Sequence, residues 1–150
     1  TRYTLNFERA AIAKTGTLLR VSDELIEYLK SASAPAGAGM RHRLAELRAE
    51  IVACRWLGYK VAWLYDQGHT PTTESSMIKV LTADLLYKLA DLGSDILGYA
   101  GLLRGREAPL EGHVEFLLRS IWFHLVGGGA PDIQRNIIAQ RGLDLPRGPA

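Results

Sequence analysis

Residues 40–67 read MRHRLAELRAEIVACRWLGYKVAWLYDQ, and this stretch decides the fold class. Its apolar and small residues recur in steps of three and four: Leu44, Leu47, Ile51, Cys54, Gly58, Val61 and Tyr65. That spacing places them on one face of an α-helix. With a rise of about 1.5 Å per residue the helix is about 40 Å long, which is the scale of a helix in a bundle.

The same helical period continues on both sides of this segment. We predict a first helix from about Asn6 to Ser31, a third from about Thr72 to Tyr99, a fourth around residues 114–125, and a last one from Pro131 to about Gly142. Breaks rich in Gly, Pro, Ala, Ser and Thr separate these helices. The sequence has no strand pattern and no internal repeat. We therefore predict an all-α fold, an antiparallel four-helix bundle with a short extra C-terminal helix, as one domain over residues 1–150.

Composition and charge argue against several classes of function. The formal net charge is only +2 and the basic residues are scattered, so we expect no nucleic-acid partner. No apolar run reaches the length of about 18 residues that a membrane helix needs, so we expect no membrane partner. Cys54 is the only cysteine and the four histidines lack Glu-x-x-His spacing, so we expect no metal site and a packed, unreactive Cys54.

The tail is the most specific part of the sequence. Residues 128–139 read GGAPDIQRNIIA and residues 142–147 read GLDLPR. Both closely resemble the ending of the acyl-CoA dehydrogenase family, a Gly-Thr-Ser/Asn-Glu-Ile-Gln-Arg-type turn and helix that often closes on Leu-Gly-Leu-Pro-Arg. Residues 5–13, LNFERAAIA, resemble the first helix of that family's C-terminal domain, and residues 41–47, Lys79 and Arg119 also match. The resemblance covers the whole chain.

The resemblance implies both a larger protein and a chemistry. Family members carry an N-terminal helical domain and a small β domain before this bundle, and we expect both to be absent from this chain, whose start without Met fits a chain cut from a longer protein. Members are flavoenzymes of lipid metabolism, in which FAD lies between domains and reaches across a subunit interface. A glutamate removes the α-proton of an acyl-CoA thioester while the β-hydride passes to flavin N5. The implied partners are the acyl-CoA substrate, an electron-transfer flavoprotein and other subunits of a homo- or hetero-oligomer, and we expect the protein in the bacterial cytoplasm.

The family places its catalytic glutamate at one of two positions. Most members have it just before the Gly-Thr turn of the tail, where this chain has Gly128. A minority have it on the first helix directly before an Arg, where this chain has Glu8 followed by Arg9. The resemblance therefore implies that Glu8 is the base and that Arg9 and Gly128 lie beside the substrate. The alternative is that Glu8 is an acid in the first turn of a helix, where the helix dipole favours negative charge.

The resemblance also places a set of residues near FAD. They are Gly98, Gly101, Gly129, Ala130, Asp132 and Gln134. Residues 31–39 lack the family's phosphate-binding Arg, Ala130 replaces a Thr, and Asp132 replaces a Glu or Gln, so we expect weakened or altered flavin contacts. Such changes fit a mixed-subunit enzyme in which only one type of subunit holds the flavin well.

Three functions therefore remain open at this point. The chain is part of an acyl-CoA dehydrogenase that uses Glu8, or a non-catalytic partner subunit that completes the active site of another chain, or a helical interaction module without flavin chemistry. The chain alone is expected to be helical, colourless and inactive. Apolar side chains in surplus, including Trp56, Trp63 and Trp122, predict a dimer or a larger oligomer. Tyr59, Trp63 and Tyr65 are assigned to the core or to an interface.

Overall fold

The computed structural model describes residues 14–31 and 37–147, and every regular element there is helical. The five α-helices are α1 (Thr15–Ser31), α2 (Ala38–Asp66), α3 (Thr72–Leu97), α4 (His113–Val126) and α5 (Pro131–Ile137). Two 3₁₀ turns, Gly98–Leu102 and Pro109–Gly112, join α3 to α4, and a π-helical turn, Ile138–Gly142, follows α5. The predicted bundle of four main helices with a short C-terminal helix is confirmed. The predicted start of the first helix, Asn6, lies outside the described residues.

The order of contacts between α2 and α3 shows that these helices run antiparallel. Four pairs follow one another along the interface: Arg43 with Asp95, Glu50 with Lys88, Cys54 with Thr82, and Lys60 with Glu74. The number of the first partner rises while that of the second falls. The short connection between the two helices, residues 67–71, allows this arrangement.

The centre of the bundle is α3, in which half of the 26 residues are buried. It packs against α1, α2, α4 and α5, and Leu85 and Leu89 on it are completely inaccessible to solvent. Gly93 brings α4 close, because a Cβ atom at this position would lie only 2.9 Å from Cγ2 of Val114. A helix buried on most of its circumference explains why its apolar stripe is wider than that of α2.

Two contacts fix the tail at the N-terminal part of α3. The Lys79 ammonium group donates a hydrogen bond to the main-chain carbonyl of His124 near the end of α4. Gly142 packs against the Thr73 side chain, and a Cβ atom added to this glycine would lie 2.7 Å from Cγ2 of Thr73. The segment between α4 and α5 therefore lies at the level of the first two turns of α3.

The structure corrects one prediction about an aromatic residue and narrows another. The third helix ends at Leu97 instead of reaching Tyr99, because Gly98 adopts a positive φ of 57° and turns the chain, and Tyr99 is 94% exposed. Of the two places predicted for Tyr59 and Trp63, core or interface, only an interface is compatible with the structure, since both residues lie on the outer face of α2 with 48% and 57% of their surface exposed.

Candidate functional site

The turn between α4 and α5, residues 127–130, carries the tail motif and is shaped by glycine. The Gly127 amide donates to the Phe123 carbonyl at 2.7 Å, and the Gly129 amide donates to the Val126 carbonyl at 3.1 Å. Gly128 and Gly129 have φ angles of 75° and 107°, a region that residues with a side chain rarely adopt. The sequence GGG at 127–129 is therefore a requirement of this turn, and Gly128 offers no side chain for chemistry.

Gln134 supports the turn from the protein interior. Its side chain is completely buried, and Nε2 donates to the Gly128 carbonyl at 3.2 Å. Within the described part of the chain Oε1 of this amide has no hydrogen-bond partner. Gln134 is therefore an interior residue and not part of the exposed face of α5. Gln134 stabilises the turn from the protein interior through this hydrogen bond, and its contact with FAD stays a prediction.

The remaining predicted tail residues lie at the start of α5. Ala130 precedes α5 and has no side-chain atom that could cap the helix, so Pro131 begins it without a side-chain cap. Asp132 is 91% exposed at its side chain and pairs with the Arg135 guanidinium at 3.2 Å. Ala130 is half-buried and Asp132 is exposed, and their FAD contacts stay a prediction.

A buried cation lies beneath the end of α4. Lys79 is only 2% exposed, and burial lowers the pKa of its ammonium group. Its hydrogen bond to the His124 carbonyl satisfies one of the last carbonyls of the helix, where a positive charge also suits the helix dipole. This bond ties the C-terminal end of α4, and with it the glycine turn, to α3.

The other predicted flavin residues, Gly98 and Gly101, lie at the opposite end of α3. Gly98 follows Lys79 by 19 residues, which is about 28 Å along an α-helix. A Cβ atom at Gly98 would meet nothing within 4 Å, so its backbone is open to close approach, whereas one at Gly101 would lie 3.1 Å from Cβ of Leu97. One copy of the chain therefore does not bring the Gly98 turn and the tail turn together.

A charge cluster fixes the segment that follows the Gly98 turn. The buried Glu115 carboxylate accepts hydrogen bonds from Nε of Arg104 at 2.8 Å and from Nε of Arg119 at 3.0 Å. The hydrogen bond from Arg119, with the charge of Arg104, holds the pKa of Glu115 below its usual value. Because Arg104 comes just after the 3₁₀ turn, this pair ties the turn to α4. Arg119, one of the residues that resemble the family in sequence, therefore has a structural role, because it holds the carboxylate that binds Arg104.

The predicted base lies outside the described residues. Glu8 and Arg9 precede Lys14, the first described residue, so their assignment remains a prediction. Among residues 14–31 and 37–147 no group of three His, Cys, Asp or Glu side chains could hold a metal ion. In the same ranges no helix has both the length and the apolar character needed to cross a membrane. Cys54 is buried as predicted, and burial raises the pKa of its thiol.

Comparison with known proteins places the chain in a family. Residues 1–143 match the family model of the acyl-CoA dehydrogenase C-terminal domain. Acyl-CoA dehydrogenase FadE26 of Mycobacterium tuberculosis is 27% identical over an alignment of 155 positions that covers 95% of this chain and 38% of the relative. Acyl-CoA dehydrogenase IpdE1 of Mycolicibacterium smegmatis is 30% identical, with 96% and 36% covered. The chain thus spans less than two fifths of the length of these relatives.

Solved structures agree with the sequence matches. The steroid ACAD Tcur3481–Tcur3483 superposes with a TM-score of 0.87 at 25% identity, covering 96% of this chain and 38% of that one. The ChsE4–ChsE5 complex of Mycobacterium tuberculosis gives a TM-score of 0.80 at 25% identity, covering 89% and 37%. The helical bundle and the glycine turn before its last helix thus occur in a chain that belongs to the acyl-CoA dehydrogenase family, as its C-terminal domain.

Proposed function

We propose that this chain acts as the C-terminal domain of a flavin-dependent acyl-CoA dehydrogenase that introduces the α,β double bond of an acyl-CoA thioester. The observation that carries the proposal is the glycine turn at residues 127–130, since it presents the family's tail motif on a support of its own, the buried Gln134. The match of residues 1–143 to the family supports the same function.

The described residues fit FAD through main-chain contacts. Gly98 has open space where a Cβ atom would stand, so a planar or phosphate-bearing ligand can approach the backbone there, and Gly129 at the tail turn has no side chain that would keep a ligand away from its backbone. When bound, FAD supplies the acceptor for the β-hydride. The task of this domain is to orient the cofactor and to exclude water from one side of it.

The separation of the two turns supports a site shared between subunits. The tail turn lies at the level of Lys79, and Gly98 follows that residue by about 28 Å of helix. A flavin-binding site that contains both a Gly98 turn and a tail turn therefore needs a second subunit. Exposed aromatic side chains are available for such assembly: Trp56 and Trp63 on α2, and Trp122 and Phe123 on α4.

For the chemical step we propose Glu8 as the base that removes the α-proton. The tail position that serves in most of the family is Gly128 here, which has no carboxylate. A base for a weakly acidic C–H needs a raised pKa, which requires that burial beside the acyl chain prevail over the helix dipole. The electrons of the α-C–H bond would form the α,β double bond as the β-hydride leaves; bound FAD would supply the acceptor for that hydride, and the proposed electron acceptor is an electron-transfer flavoprotein.

The experiment that tests this assignment replaces Glu8 by Gln in the complete subunit with any natural partner subunit. Flavin reduction by a good acyl-CoA, followed by stopped-flow absorbance, should slow by about 100-fold or more, while substrate affinity changes little. Glu27→Gln is the matched control, because Glu27 is an exposed acid on α1 that pairs only with Lys30 in the described residues. Gly128→Glu in the Glu8→Gln background should restore part of the rate, limited by the positive φ at that position.

A second candidate is a non-catalytic subunit of a mixed-subunit dehydrogenase. Two observations favour it, the absence of a carboxylate at Gly128 and the absence of a hydroxyl at Ala130. If Glu8→Gln reduces flavin at the unchanged rate, the base lies on another chain and this second function replaces the first. Reconstitution with and without the sister subunit then shows which chain holds the flavin.

A further inference from the structure

A small pocket between α1 and α4 has a polar lining that the dehydrogenase function does not use. Its volume is about 70 Å³, and its polar walls are Lys14, Thr17, Arg20, His113 and His124. Apolar side chains of the same two helices close the remaining sides. No carboxylate lines it in the described part of the chain, so the lining has an excess of positive charge.

The orientation of Arg20 is set by a short chain of hydrogen bonds. Nδ1 of His113 lies 2.8 Å from the Glu24 carboxylate, and Nη1 of Arg20 lies 3.3 Å from Nε2 of His113. With Nδ1 donating to Glu24, Nε2 is the free acceptor for Arg20. Glu24 thus orients His113 and Arg20 without lining the pocket itself, and its other carboxylate oxygen lies 4.0 Å from Nε of Arg20.

His124 provides a buried ring nitrogen without a hydrogen-bond partner in the described part of the chain. The residue is only 5% exposed, and its Nδ1 has no hydrogen-bond partner within residues 14–31 and 37–147. Burial and the nearby charges of Lys14 and Lys79 lower the pKa of this imidazole. An anion bound here would offset the charges of the two lysines, and in the tautomer with the proton on Nδ1 this atom can donate a hydrogen bond to it.

We propose that this pocket binds an oxyanion of the size of phosphate, held by Lys14, Arg20 and His124. The volume supports that size, because one water needs about 10–15 Å³ by the same measure, so that the pocket has room for roughly five small atoms. Donors from both helices suit a tetrahedral anion with oxygens on several sides. The anion is either free phosphate or the phosphate group of a larger ligand such as CoA.

The test is calorimetric titration of the complete protein with inorganic phosphate at constant ionic strength, with chloride as the reference. We expect saturable binding with a dissociation constant of about 1 mM or tighter. Lys14→Met and Arg20→Met should each weaken it by about tenfold, the effect of one lost charge-assisted hydrogen bond. Lys30→Met is the matched control, since it removes the same charge from the other end of α1, where Lys30 pairs with Glu27, and should leave binding unchanged within about twofold.

A second readout follows the histidine itself. In NMR spectra of labelled histidines, phosphate should raise the pKa of His124, while the ring resonances of the exposed His69 should not move when phosphate is added. Displacement of phosphate by CoA but not by 3′-dephospho-CoA identifies a phosphate carried by CoA, and displacement by neither identifies free phosphate. Absence of saturable binding, or equal loss in Lys14→Met and Lys30→Met, overturns the proposal.

Discussion

Replacing Gly93 by Ala tests the close packing of α3 against α4 that gives the bundle its shape. The new Cβ atom would lie 2.9 and 3.1 Å from the two methyl carbons of Val114 and 3.6 Å from a methyl of Leu25. Val is restricted to one main rotamer in a helix, so its methyl groups cannot swing away. Overpacking of this kind costs about 1–3 kcal/mol, while Ala in place of Gly gains about 0.5–1 kcal/mol in a helix interior.

The midpoints of these two ranges leave a net loss, so we expect the free energy of unfolding to fall by about 1 kcal/mol and the melting temperature by roughly 2–4 °C, measured by circular dichroism at 222 nm. Gly58→Ala is the matched control on α2, because its Cβ atom would meet only the terminal methyl of Ile78 at 3.4 Å. That variant should gain about 0.5–1 kcal/mol.

The double variant isolates the contact. In a Val114→Ala background the two methyl groups are gone, so Gly93→Ala should become stabilising by about 0.5–1 kcal/mol. If Gly93→Ala instead raises the melting temperature as much as Gly58→Ala does, α3 and α4 do not approach each other at this level and the described packing is wrong.

Three further outcomes follow from the structure. Burial and the charges of Lys14 and Lys79 lower the pKa of His124, so below the ordinary value of 6.5 the unfolded chain binds more protons than the folded chain. The free energy of unfolding should therefore fall as the pH drops through 6.5. In urea unfolding, His124→Asn should show a weaker dependence of this free energy on pH. Gln134→Leu removes both the hydrogen bond to the glycine turn and the unpaired amide oxygen, so the melting temperature should change little. The complete enzyme should nevertheless lose FAD more readily on dilution. Full retention of FAD would count against the turn as a flavin contact. Sedimentation should show a dimer or larger species, and Trp63→Arg should shift it toward monomer if the exposed face of α2 is the interface.

Periodicity was sufficient to predict the helices and their order, because each long helix buries one continuous stripe. Leu44, Leu47 and Ile51 are buried as their spacing indicates. The end of α3 was predicted too late, at Tyr99, because the apolar period continues past Gly98, whereas the helical backbone ends at Leu97. The pattern cannot detect a positive φ at a single glycine.

The site was less predictable, since its support comes from pairs far apart in the chain. Lys79 and His124 are 45 residues apart, and only the antiparallel packing of α3 and α4 brings them together. Gln134 occupies the second turn of a seven-residue helix, too short for its period to separate a buried side from an exposed one. The sequence of the tail motif indicated the turn, but only the folded structure reveals that Gln134 is buried and that it donates a hydrogen bond to the Gly128 carbonyl.

The most direct measurement is the absorbance spectrum of the complete natural protein, purified with any sister subunit. We predict stoichiometric bound FAD, whose visible absorption bleaches when an acyl-CoA substrate is added without oxygen, whereas residues 1–150 alone should be colourless. A complete protein that neither contains FAD nor takes it up with its sister subunit would contradict the account.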